Sequence, residues 1–170
     1  LNSLESIRNY VRLTPEIGTA GQPRRDQFEP IANAGFETVI NLALPTHPDS
    51  IDDEGRLVTE LGMNYLHLPV PFDTPKPDHL FQFCALLAAL HGRQVFVHCI
   101  MNYRVSIFMY HYLRQVLEYS EPRARSPILD CWQIEPQWRE ILALDAASLN
   151  LSRIRTDDNP QAAYARHGYR

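Results

Sequence analysis

Residues 94–106 read QVFVHCIMNYRVS, and this stretch decides how the rest of the chain is read. Val95, Phe96 and Val97 form the short apolar run expected of a strand covered on both faces. His98 and Cys99 end it, a short polar loop follows, and an apolar-periodic helix begins near Arg104. A cysteine on a strand-to-helix turn faces backbone N–H groups and the positive end of the helix dipole. That setting favours the thiolate over a free thiol of pKa about 8.5, and it makes an anion site in the same step. Arg104 adds a planar two-pronged donor for an oxyanion. Ser106 can hydrogen-bond the sulfur or a ligand, and His98 can orient the loop through its ring nitrogens. A lone cysteine after an apolar strand is usually a small core residue. Cysteine with histidine, arginine and serine on one strand–loop–helix points instead to chemistry.

Outward from this stretch the chain alternates strands and helices. Upstream, Glu37–Leu42 and Asn64–Leu68 read as strands, and the segments 51–61 and 78–91 read as helices stopped by Gly62 and Gly92. Asp26–Glu29 has capping-box spacing for a helix ending at Gly35, and Asp78 is placed to cap the helix before Gly92. Tyr10–Leu13 and Ile17–Ala20 pattern as an edge hairpin. The Cys99 loop leads into a helix through about Tyr119, and Glu121–Leu149 reads as one or two more helices. The alternation predicts an α/β fold: a mostly parallel sheet of four to five strands flanked by helices, with the site at the strands' C-terminal edge. Asn41, Asp73 and Cys99 each fall at or just after a strand end, so they are expected to converge there. Length predicts one domain over 1–150, and the aperiodic residues 151–170 read as a tail.

Composition excludes more than it selects. A formal charge of -4 without a lysine or arginine block argues against nucleic acid or a membrane surface as partner. Three cysteines (Cys84, Cys99 and Cys131) without paired spacing fit a reducing compartment, hence an expected cytoplasmic location. A leader removed before residue 1 would place the chain in the periplasm. Seven histidines form no ligand spacing, so neither a metal nor a cofactor is expected. Cys84 lies on the apolar face of its helix, and both it and Cys131 read as structural; a resolving role for Cys84 toward an oxidised Cys99 is the alternative. Trp132 and Trp138 read as packing residues.

The loop resembles the phosphate-binding loop of the cysteine-dependent protein phosphatases, H-C-x-x-G-x-x-R-S/T. His98, Cys99 and Ser106 fall in register, and Asn102 stands at the glycine place, where it tolerates the left-handed backbone a tight loop needs. Val105 holds the arginine place, and Arg104 comes one residue early. The run is most similar to a bacterial phosphatase-like group, often filed as a domain of unknown function, whose loop is V-H-C-x-x-N-x-R-V-S. GTAGQP, AGFETVINL and the Asp73 segment extend the likeness over roughly residues 15–118. The resemblance implies a dual-specificity-phosphatase-like fold and hydrolysis of a phosphate monoester through a cysteinyl-phosphate. Cys99 would be the nucleophile, and Arg104 with the loop Ile100, Met101, Asn102, Tyr103 and Val105 the anion cradle. Asp73, within Phe72-Asp73-Thr74-Pro75, would be the general acid, and His98 and Ser106 would support the loop. The partner would be a phosphorylated small molecule or phosphoprotein; oligomeric state is open.

The Cys-x4-Arg spacing also resembles rhodanese-type sulfurtransferases, which would carry a persulfide on Cys99. The displaced arginine leaves a third reading, a non-catalytic domain that binds phosphate or a phosphorylated partner.

Overall fold

Five strands, β1 (Val11–Arg12), β2 (Ile17–Ala20), β3 (Thr38–Asn41), β4 (Asn64–His67) and β5 (Val95–His98), form one sheet in the computed structural model, which describes residues 3–151 and 154. Their order is β1-β2-β5-β3-β4. β5 lies between β2 and β3, parallel to both, and β4 extends the parallel set beyond β3. Only β1 is antiparallel, paired to β2 with Val11 opposite Thr19, as the hairpin pattern predicts.

Strand periodicity sorts the core into two layers. Val95 and Val97 of β5 and Ile40 of β3 face one cluster; Phe96 and Val39 face the other. The first cluster is covered by α3 (Pro77–Ala89), α4 (Tyr103–His111), α5 (Glu121–Ala124) and α6 (Pro136–Leu142). The second lies under α1 (Phe28–Asn33) and α2 (Glu54–Glu60). Burial on both faces explains why the central strands read as continuous apolar runs. The same alternation decides the site: His98 falls on the Phe96 side, toward α2, and Cys99 falls on the Val97 side, toward α3 and α4.

Several local expectations shift. Arg24, not Asp26, stands at the start of the first helical turn: its backbone N–H donates to Gln27 Oε1 at 2.9 Å, while Asp26 pairs with the Arg24 guanidinium at 3.1 Å. Pro77, not Asp78, opens α3, because a proline at the first helical position has no N–H to leave unpaired. Asp78 instead accepts from Gln82 Nε2 at 2.6 Å. The Cys99-loop helix does not run on regularly to Tyr119: it widens into a π-helical turn over Tyr112–Val116, and the chain reverses at Glu118 with φ of 59°. Glu121–Leu149 breaks into α5, a 3₁₀ turn (Pro127–Asp130) and α6, each carrying a proline in its first turn. The core reaches Leu151 and Ile154, both buried; the rest of the expected tail lies outside the described residues. Among the described residues no helix is long and apolar enough to cross a membrane.

Candidate active site

β5 delivers Cys99 to the sheet's C-terminal edge, and Ile100, Met101 and Asn102 are all that separate it from the first residue of α4. The loop is tied down at once. Gln22 N–H donates to the Ile100 carbonyl at 3.0 Å, Met101 bridges Gly21, and Asn9 Nδ2 donates to the Met101 carbonyl at 2.9 Å. Gly21 has to be glycine for this approach: a Cβ there would stand 2.5 Å from the Ile100 carbonyl oxygen.

Asn102 adopts the left-handed conformation expected at the glycine place, φ 66° and ψ 7°. Its Nδ2 donates to the Asn9 carbonyl at 2.8 Å and to Thr19 Oγ1 at 3.2 Å, which fixes the turn from the β1–β2 side. Among the described residues, the amides of Ile100, Met101, Tyr103, Arg104 and Val105 donate to no protein acceptor. Those of 103–105 belong to the open first turn of α4, where unpaired N–H groups and the helix dipole favour an anion.

Arg104 is buried, 5% exposed. Its Nη1 donates to the Val70 carbonyl at 2.8 Å, its guanidinium lies 5.7 Å from the Phe72 ring centre, and its Nε has no partner. Among the described residues no carboxylate pairs with it. Val105, at the arginine place of the phosphatase pattern, is fully buried in the α3–α4 core. Ser106 differs from expectation: its hydroxyl donates to the Tyr103 carbonyl at 2.7 Å, so its proton serves the helix rather than the sulfur.

Behind the loop stands a network that sequence reasoning missed. His98 Nδ1 lies 3.2 Å from the Cys99 carbonyl oxygen, and its Nε2 lies 2.6 Å from Glu54 Oε1. Glu54, 2% exposed, also accepts from Gln22 Nε2 at 2.7 Å, and its charge acts on the Tyr65 phenol. Tyr65 in turn accepts from Asn41 Nδ2 at 3.0 Å. Burial pushes the Glu54 carboxyl up, but the charge of His98 and the bonds from His98 and Gln22 outweigh it, so the group lies below its usual range. Burial, with the Glu54 charge, pushes the Tyr65 phenol up to about 12. Asn41 therefore reaches the strand edge as expected, but it braces this network. Glu54 sits in the run Asp52-Asp53-Glu54, which reads as a solvated charged face, and nothing in that run signals a buried acid.

Asp73 is exposed on the loop after β4. Its neighbour Phe72 anchors that loop: the ring packs against Trp138 and Trp132, and Trp138 Nε1 donates to the Phe72 carbonyl at 2.9 Å. The loop thus runs from Val70, which holds Arg104, to Asp73. Trp132 also stacks on Tyr103 with ring centres 4.3 Å apart. Beside that pair opens a groove of about 450 Å³, lined also by Ile134, Glu135, Pro136 and Arg139.

A DUF442 protein from Shewanella putrefaciens CN-32 is 33% identical, matching 86% of this chain and 96% of its own with a TM-score of 0.76. The chain belongs to the DUF442 phosphatase-like family. Two more distant proteins share the fold of this DUF442 chain. TpbA of P. aeruginosa is 18% identical over 85% of this chain and 90% of its own, with a TM-score of 0.65, and is also known in complex with pTyr. The PP-IP phosphatase SIW14 from S. cerevisiae is 12% identical over 95% and 94%, with a TM-score of 0.60. No family profile and no curated protein matches the chain. The DUF442 chain thus has the α/β architecture of the protein-tyrosine and dual-specificity phosphatases.

The remaining cysteines of the DUF442 chain stand apart. Cys84 is fully buried on α3, and burial raises its thiol far above the ordinary range, which suits a core residue and not a resolving nucleophile. Cys131, read as structural, is instead exposed, with its Sγ 3.3 Å from the Pro127 carbonyl. Among the described residues no histidine, cysteine and carboxylate group gathers with metal-ligand geometry.

Proposed function

We propose that the protein is a cysteine-dependent phosphatase that hydrolyses phosphate monoesters of a small molecule or phosphoprotein. One observation carries the reading: Arg104 is a buried guanidinium without a carboxylate, its Nε unpaired, on the helix turn whose amides are also open. A buried cation needs an anion to offset its desolvation, and a cradle of free N–H donors states which sign of ligand fits. In the reaction the Cys99 thiolate attacks phosphorus and forms the S–P bond. The P–O bond to the leaving group breaks, and Asp73 gives that oxygen its proton. Water then attacks the cysteinyl-phosphate, gives its proton to Asp73, and releases phosphate and thiolate. Arg104 and the loop amides stabilise the equatorial oxygens throughout.

The sulfurtransferase reading rests on the Cys-x4-Arg spacing. Left-handed Asn102 at the glycine place favours the phosphate loop instead. The deciding experiment assays the purified chain on an aryl phosphate with vanadate as inhibitor, and on sulfur transfer from thiosulfate to cyanide. Vanadate-sensitive phosphate release that disappears in Cys99→Ser supports the phosphatase. Sulfur transfer without phosphate release overturns it, and neither activity, with retained vanadate binding, makes the domain a phosphate reader.

A further inference from the structure

His98 faces two acceptors. The Cys99 carbonyl can only accept, and it lies 3.2 Å from Nδ1; the Glu54 carboxylate lies 2.6 Å from Nε2. A neutral imidazole carries one N–H and could satisfy one of them, leaving lone pair against lone pair at the other. The alternative would put the shared proton on Glu54 Oε1. The surroundings oppose that: Glu54 already receives the Gln22 amide at 2.7 Å, a donor that binds a carboxylate better than an acid. The polar groups that act on Glu54 come from three elements: Gln22 after β2, Tyr65 and the more distant His67 on β4, and His98 on β5.

We propose that Glu54 is a positioning residue for the nucleophile loop: it holds His98 with protons on both ring nitrogens, so that Nδ1–H grips the Cys99 carbonyl and a buried positive ring stands one peptide from the sulfur. This rests on the reading of Cys99 as nucleophile. The pair has 0% and 2% side-chain exposure, so water neither screens nor replaces it. The consequence is electrostatic and mechanical together. The imidazolium favours the thiolate of Cys99 and polarises the Cys99–Ile100 peptide, whose N–H belongs to the anion cradle. Glu54 touches neither substrate nor sulfur and acts wholly through His98.

The test uses the full chain. In ¹⁵N-histidine-labelled wild type, both His98 ring nitrogens are expected to show directly bonded protons at pH 8, where a solvent-exposed histidine carries one. A single ring proton overturns the proposal without any variant. In Glu54→Gln, the neutral amide cannot sustain the charged ring, so iodoacetamide labelling of Cys99 at pH 7 should fall about tenfold while labelling at pH 10 stays unchanged. Glu54→Asp should restore part of the pH 7 rate. A labelling profile identical to wild type overturns the coupling, and an equal loss at both pH values marks a purely structural role, which overturns it as well. Labelling requires no turnover, so an inactive protein that follows this pattern refutes the phosphatase reading and leaves the Glu54–His98 assignment standing.

Discussion

The Arg104 guanidinium donates to the Val70 carbonyl, 2.8 Å away, and so joins the first turn of the cysteine-loop helix to the segment that carries Asp73. A carbonyl satisfies one N–H and none of the charge. Arg104→Met keeps the apolar stem and removes the cation. Turnover is expected to fall about 10²- to 10³-fold, as when an oxyanion donor is lost. Stability without ligand should hold or rise, since an unpaired buried charge has gone. The rise in Tm that phosphate or vanadate produces in the wild type should vanish. Thermal scanning with and without vanadate checks all three outcomes.

Asp73 is exposed beside an anchored Phe72, so its carboxyl can move while the loop's root stays fixed. In Asp73→Asn, alkyl phosphates should lose about 10²-fold or more in kcat, and aryl phosphates with good leaving groups should be nearly spared. Steady-state rates across a leaving-group series provide the measurement. Uniform loss across the series would remove Asp73 from the acid role.

Val105 is fully buried against α3, although the phosphatase pattern has an arginine at that place. Exchanging the two residues, Arg104→Val with Val105→Arg, therefore drives a guanidinium into the apolar core. The expected loss is on the order of 3 kcal/mol or more, with turnover abolished. Urea unfolding of the double variant tests this, and a stable, active protein would show that the loop can be re-registered.

His111 donates through Nε2 to the Ile141 carbonyl at 2.8 Å and meets the Gln115 amide at 2.6 Å through Nδ1, the pattern of a neutral ring. Burial lowers its pKa despite the bond to Ile141. The unfolded chain therefore binds this proton more readily, and stability should begin to fall as pH drops below about 6.5. Glu54, also held below its usual value, adds a second loss as pH falls below about 4.5. Urea midpoints at pH 7.5, 5.5 and 4 should show the wild type losing more stability than His111→Gln between pH 7.5 and 5.5, and both proteins losing it between 5.5 and 4.

The mostly parallel sheet and the place of Cys99 at a strand end were legible because their signals are local and periodic: an apolar run, a turn, a helix. Asn102 was legible too, since a left-handed turn leaves few residue choices. The Glu54–His98 pair was not, because it joins residues 44 apart that meet only when α2 packs on the sheet. Capping was misread at Asp26 and Asp78, where a nearby arginine and glutamine outcompeted the backbone for the carboxylates. Arg104 was visible as a candidate, but its burial depends on Val70 and Phe72, which sequence cannot bring to it.

The bridge between Gly21 and Met101 makes the cysteine loop a continuation of the sheet rather than an appendage to it. On the proposed reading the anion cradle is therefore assembled during folding, with its ordering entropy already spent before any ligand arrives. Gly21→Ala, which forces a methyl against the Ile100 carbonyl, should then weaken vanadate affinity although no atom of residue 21 meets the anion. If Cys99 is the nucleophile, a change at the end of β2 would be felt there, and the hairpin that looks like peripheral trim would belong to the catalytic apparatus.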